Sequence, residues 1–285
     1  MKYFPFIRGK QYDLVALQEV ARRGLISANI VPILEPVKDI AGLTKVTQTF
    51  AQAQLPLAVI TNPQVGTYGL LAQPRYVMDL KGSVFAARYF EPENSAVLTI
   101  AQTATQAQLL QHQSGLTVVP NEARVRRLHL PHAIYLEDHF TTWGHTENYH
   151  LLQDEIYQFA PATLPGMGFS DYPLTSGQYF EQGYPQRAIA LHLVYPAGKQ
   201  LRLHHFVSVN NDDYQQPQAK FFEAASQLAP WLTQHPEANS AGLQELISLY
   251  QQQHFPAMGS LRKLQLMHHL EVIGRFLDAA SPIES

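Results

Sequence analysis

The apolar residues of this chain fall in short runs divided by polar, Gly- and Pro-containing stretches. Over the first 175 residues the runs alternate between strand and helix periodicity. "KYFPFI" has a strand pattern, and in "YDLVALQEVARRG" the positions Leu14, Val15, Leu17 and Val20 make a helical stripe that Gly24 stops. "NIVPILEPV" predicts a buried strand, "AGLTKVTQTFAQAQ" a helix and "PLAVITNP" a third strand. Residues 68–80 have the pattern of another helix, while "SVFAARYFEP" and "AVLTIA" read as two strands close together in sequence. "TATQAQLLQHQ" then predicts a helix, and "LTVVPN", "HAIYLEDHF" and "GMGFSDY" predict strands. Roughly eight strands interleaved with helices predict an α/β fold, a (β/α)8 TIM-barrel-like domain, regular or degenerate, with residues 1–175 as its main part.

The pattern then changes. "RAIALHLVYPAGKQLRLHHFVSV" is two alternating runs around the turn signal "PAGK", which predicts an antiparallel hairpin over residues 187–208. Residues 217–280 read as helical throughout, with Pro230 kinking or ending the first helix. With no repeat, long linker or low-complexity tract, residues 1–285 are expected to form a single domain.

Composition narrows the possible functions. Charged residues are 15% of the chain, against about a quarter in typical domains, and the net charge is -3. That balance gives no electrostatic footprint for nucleic acid or an anionic membrane, so neither is expected as a partner. The absence of Cys removes disulfides, thiolate catalysis and Cys-based zinc sites. No apolar run reaches the roughly 20 residues that span a bilayer, and Pro5 and Arg8 interrupt the N-terminal run as a signal peptide would not. A cytoplasmic protein is the expectation. GxxxxGK[ST], strand-linked GxGxxG and GxSxG are all missing, which argues against P-loop, Rossmann and α/β-hydrolase chemistry.

"YFPFIRGKQYDLVAL", "VPILEPVK", "TNPQVG", "GFSDYPLTSG", "LHHFVS" and "LMHHLE" together resemble a branch of the phage-type beta-protein family, over nearly the whole chain. The resemblance implies a barrel-like α/β fold and a bacterial or phage origin. It implies no reaction and no set of catalytic residues.

In a parallel barrel, reactive groups lie where strands give way to βα loops. The strand ends here carry Arg8, Glu35, Asn62, Glu137, Asp138, His139 and Asp171, and a hairpin folded over the same mouth would add His192 and His205. Carboxylates with histidine can do acid and base work or hold a divalent metal. Glu35, Asp138, Asp171, His192 and His205 are therefore the candidate catalytic residues, and Arg8, Asn62 and Tyr172 the candidate substrate-binding ones.

Several have a plainer alternative; for His192 and His205, which face the same or opposite sides depending on register, it is that of hydrogen-bonded core residues. Asn62 before Pro63 and Gly66 also reads as a turn, and Asp138 between Glu137 and His139 reads either as a cap or as part of a metal site. In "GFSDYP", Asp171 is either a functional acid, partnered by a hairpin histidine, or a turn residue bonded to its own backbone. His268 and Glu271 have i, i+3 spacing but no second histidine of an HExxH motif, and core packing is the expected role. "FIRG" with "LEP" resembles the strand-end Arg and Glu of barrel phosphodiesterases, except that Ile7 stands where that family has histidine.

Two functions follow from this reading. One is a hydrolase or lyase acting on a small polar substrate, with or without a divalent metal; the other is a non-catalytic barrel that binds a ligand or a protein at the same mouth.

Overall fold

The computed structural model describes residues 1–93, 96–158, 166–181, 183 and 186–280. Its larger sheet is parallel throughout, with strands β1 Lys2–Tyr3, β2 Phe6–Arg8, β3 Ile33–Glu35, β4 Leu57–Ile60, β5 Val84–Tyr89, β6 Leu98–Ile100, β7 Leu116–Pro120 and β8 Ala133–Leu136. After β9, Asp154–Gln158, which belongs to a second sheet, β10 Gly168–Ser170 completes the nine, in the spatial order β1-β10-β8-β7-β6-β5-β4-β3-β2. The strands at the two ends are successive pieces of one segment. Phe4 N–H donates to Phe169 O on one side, and Ile33 N–H donates to Pro5 O on the other. Pro5 has no N–H to give to a ladder, which accounts for the break between β1 and β2.

The sheet is curled, but the expected (β/α)8 barrel is corrected: it is not a closed barrel ringed by eight helices. Helices α1 Gln11–Arg22 and α2 Gly42–Gln52 follow β2 and β3, but β4 is followed by a single 3-10 turn, Tyr68–Leu70. The helix expected over residues 68–80 does not form, because Gly69 and Pro74 interrupt the stretch. Helix α3, Ala104–Leu109, follows β6, and α4, Ala123–Arg126, is one turn long.

The expected hairpin is present as β11 Ala190–Ala197 and β12 Gln200–Val207. It is part of a three-stranded antiparallel sheet of order β11-β12-β9, whose third strand was not anticipated. The C-terminal section is helical as expected: α5 Pro217–Ala225, α6 Leu228–Gln234, α7 Ala241–Gln251 and α8 Met258–Ala280. Pro230 neither kinks nor ends α5. It lies in the first turn of α6, where its missing N–H would have had no helical partner.

Alternation along the parallel strands decides which side chains meet. Phe4, Phe6, Ile33, Ile60, Ile100 and Ile134 point into one cluster enclosed by the curled sheet. Their chain neighbours Tyr3, Ile7, Leu34, Val59 and Phe169 point the other way, into a larger core shared with α1, α2, α8 and the hairpin. Helix α8 packs against α1, α7 and β11, and buries His268 and His269 among its leucines. Among the described residues, no helix is long and apolar enough to cross a membrane.

Candidate functional site

The alternation places Arg8 on the enclosed face with Phe6, and Glu35 on the same face with Ile33; the register sets Arg8 directly beside Glu35. Arg8 Nε lies 3.0 Å from Glu35 Oε2, with side-chain exposures of 12% and 0%. Glu35 Oε1 accepts the Gln64 N–H at 2.9 Å. Burial raises the Glu35 pKa above the ordinary carboxylate value, against the opposing pull of the Gln64 N–H and Arg8. Tyr89, at the end of β5, and Tyr172, just past β10, border the pair, and burial pushes both phenols up as well. The Arg8 guanidinium carbon lies 5.7, 5.4 and 5.6 Å from the ring centres of Phe6, Tyr172 and Tyr179, and its Nη1 is buried without a hydrogen-bond partner.

Residues 172–181 run across these strand ends and are tied down from several sides. Arg8 Nη2 donates to Gly177 O at 2.9 Å, and Gly177 N–H donates to Asp138 Oδ2 at 2.7 Å. Lys10 Nζ donates to Phe180 O at 2.6 Å, Lys38 pairs with Glu181 at 2.6 Å, and Arg262 Nη1 donates to Leu174 O at 3.2 Å. Gly177 is required by space: a Cβ there would lie 2.9 Å from the Tyr172 ring. Residues 172–181, which begin inside "GFSDYPLTSG", are thus a cover over the Arg8–Glu35 pair, and Asp138 holds that cover in place.

Asn62 also reaches the mouth. Its Nδ2 donates to Tyr89 O at 3.1 Å and to Glu91 Oε1 at 2.8 Å, while its Oδ1 accepts the Tyr89 N–H at 2.9 Å. It fixes the end of β5, and the Asn-Pro turn follows. Of the expected set, Arg8, Glu35, Asn62, Asp138 and Tyr172 therefore lie at one end of the parallel sheet.

Asp171 does not join them. Ser170 and Tyr172 take the enclosed face, so Asp171 points outward, opposite to Glu35, into the core under α8. Tyr3 donates to Asp171 Oδ1 at 2.6 Å, and the Tyr3 oxygen lies 2.9 Å from His269 Nε2. Burial raises the Asp171 pKa to about 7, even though the Tyr3 and Tyr157 hydroxyls favour its charged form. Asp171 Oδ2, the Tyr157 hydroxyl and His269 Nδ1 are buried there without a well-aligned hydrogen bond. The expected partnership of Asp171 with a hairpin histidine is corrected to one with Tyr3 and, through Tyr3, with His269.

The hairpin register pairs His192 with His205 on one face. Their Nδ1 atoms are 2.6 Å apart, and His205 Nε2 lies 3.1 Å from Glu155 Oε1 on β9. The acid of this pair is thus Glu155, not Asp171. The other face carries a separate cluster, in which Asp154 meets Tyr195 at 2.7 Å and His204 at 3.2 Å and pairs with Arg202. Burial works to raise the Asp154 pKa, and the bonds from His204, Tyr195 and Arg202 outweigh it and lower it.

Glu155 and its strand were missed: "DEIYQ" does not alternate, and only Ile156 and Tyr157 are strand-favouring residue types. Tyr3 and His269 carried no signal that could link residues 266 positions apart.

His268 and Glu271 have the expected packing role: His268 Nδ1 lies 2.8 Å from Ser240 Oγ, and Glu271 accepts the Ala241 N–H at 2.8 Å, so both secure the start of α7. Of "EDH", Glu137 bonds Asn121 and lies 3.8 Å from His139, while Asp138 is committed to Gly177. Among the described residues, no group of three or more His, Asp or Glu side chains is arranged to hold a metal ion. Comparison with protein-family models, curated proteins and solved structures found no match.

Proposed function

We propose that this protein binds a small polar molecule at the strand-end mouth of its parallel sheet, through oxygen acceptors held by the Arg8 guanidinium. The observation that carries this reading is the state of Arg8. It is fixed by Glu35 and flanked by three aromatic rings, one Nη is occupied by a loop carbonyl, and the other has no well-aligned partner. A guanidinium held in this way presents a planar fork suited to a carboxylate or phosphate. The Gly177 carbonyl stands where one oxygen of such a group would sit, and Tyr172 and Tyr179 supply apolar flanks.

A hydrolase or lyase built on Glu35, Asp138 and Asp171 has less support, because Asp171 lies on the opposite face from Glu35 and Asp138 is bonded to the cover. Membership in the phage-type beta-protein family belongs to the same proposal and rests on the sequence motifs alone.

Thermal melts with a panel of small carboxylates and phosphate esters test the binding. At least one compound should raise the Tm of the wild-type protein saturably, lose its effect in Arg8→Gln, and bind roughly tenfold more weakly to Arg8→Lys, which keeps the charge without the fork. The reading is overturned if no compound moves the wild-type protein, or if the shift survives in both variants.

A further inference from the structure

Two imidazole nitrogens 2.6 Å apart must share one hydrogen, and the neighbours decide which ring supplies it. Burial works to raise the Glu155 pKa, but the bonds from His205 and Thr141 outweigh it, so this group is an ionised acceptor. His205 Nε2, at 3.1 Å from it, therefore carries a hydrogen. A neutral His205 protonated at Nε2 has a bare Nδ1, which must accept from His192 Nδ1–H. A neutral His192 protonated at Nδ1 then has a bare Nε2. That atom has no partner among the described residues, and His192 is partly exposed, with the Phe140 and Tyr149 rings set edge-on at 5.1 and 4.7 Å.

From this geometry we infer that His192 is a general base, set by the chain Glu155–His205–His192 to take a proton through Nε2 from a hydroxyl, thiol or water placed against it. When the proton arrives, the electron pair of the broken X–H bond stays on X. The Nδ1 proton of His192 passes to Nδ1 of His205, and the positive charge comes to rest beside the Glu155 carboxylate. This is the logic of a base oriented by a second group and an acid, with an imidazole in the middle position.

The surrounding charges are consistent with this direction of transfer. Burial and the Arg262 guanidinium of α8 both disfavour a charge held on His192 itself. Gln265 of α8 accepts the His192 main-chain N–H at 2.7 Å, and Thr141 donates to Glu155 Oε2 at 2.5 Å, so both ends of the chain are fixed. His139 stands near Glu155 from the segment after β8, where burial lowers its pKa against the pull of Glu137, Asp138 and Glu155. The site is separate from the Arg8 mouth and does not depend on that reading.

Long-range imidazole 15N–1H correlation spectra of the labelled full-length protein, assigned with His192→Gln and His205→Gln, test the tautomers. At neutral pH, His192 should be protonated at Nδ1 with a pyridine-type Nε2, and His205 should be protonated at Nε2. Glu155→Ala, which removes the acceptor of His205 Nε2–H, should release both rings from these tautomers. Protonation of His192 at Nε2 at neutral pH, or a tautomer pattern that Glu155→Ala leaves in place, overturns the inference.

Diethyl pyrocarbonate supplies a second readout on the wild-type protein and does not depend on any variant folding. Peptide mapping should find His192 carbethoxylated and His205 protected. An unreactive His192, or a His205 that reacts first, contradicts the assignment.

Discussion

Asp171 shows how the face a side chain takes changes its chemistry. One position further along β10 its carboxylate would have stood in the mouth near Arg8. Where it is, it has the Tyr3 and Tyr157 hydroxyls beside it and, among the described residues, no cation as a partner, and burial lifts its pKa from the ordinary 3.8 to about 7. Between those values the native state holds a proton that the unfolded chain lacks, so this residue's contribution to stability is lost as pH rises from about 4 to 7. The span corresponds to roughly 4 kcal/mol as an upper figure. Asp171→Asn is nearly isosteric, keeps an acceptor for Tyr3 and cannot ionise. Urea unfolding at pH 5 and pH 8 should find the variant close to wild type at the lower pH and more stable than wild type at the higher. Equal differences at both values would mean that the carboxyl is already charged in the native state.

At the scale of an element, the cover over the mouth depends on a few backbone positions. Leu174 holds a left-handed φ of 56° although it is not glycine, which costs about 1–2 kcal/mol, and its burial and the bond from Arg262 to its carbonyl offset that strain. Gly177 gives its N–H to Asp138 and its C=O to Arg8, and the Tyr172 ring closes off the space where a side chain would go. Gly177→Ala pushes against a ring already packed on Phe6, and overpacking of this kind costs about 1–3 kcal/mol. The urea midpoint should fall accordingly, with an unchanged m-value. A variant as stable as wild type would show that the cover shifts freely and that its two bonds to Gly177 contribute little.

Across the whole molecule, buried titratable groups set the pH profile of stability. Burial holds His192, His268 and His269 below the ordinary histidine value, His268 at about 4. The unfolded chain binds protons at these rings that the native state refuses, so their contribution is complete above about pH 6.5 and is lost as pH falls below it. Asp171 acts in the opposite sense over much of the same window. With four such rings, His139 included, against the two raised carboxyls Asp171 and Glu35, the Tm should rise from about pH 5 to 6.5 and then level off. A melting series in which Tm falls steadily from pH 5 to 7 would show that Asp171 outweighs the histidines.

The sequence by itself determined the local features, because they depend on neighbours in the chain. Strand alternation in "PFIRG" and "PILEP" put Arg8 and Glu35 at strand ends, two runs around "PAGK" made the hairpin, and the stripes after Pro217 made helices. The strand-end rule placed Arg8, Glu35, Asn62 and Asp138 at one mouth, and wrongly placed Asp171 there with them. What only the tertiary structure decided was pairing across long separations. The curl of the sheet brings β3 and β10 to the two sides of residues 2–8. The face each residue takes follows from strand register, and a one-residue difference sends Asp171 and Tyr172 in opposite directions. Glu155 became the acid of the histidine pair because β9, inserted between two strands of the larger sheet, adds to the hairpin edge. Strand pairing is a contest among all available edges, settled by the packing of the whole core, and neither the periodicity nor the composition of a single segment contains its outcome.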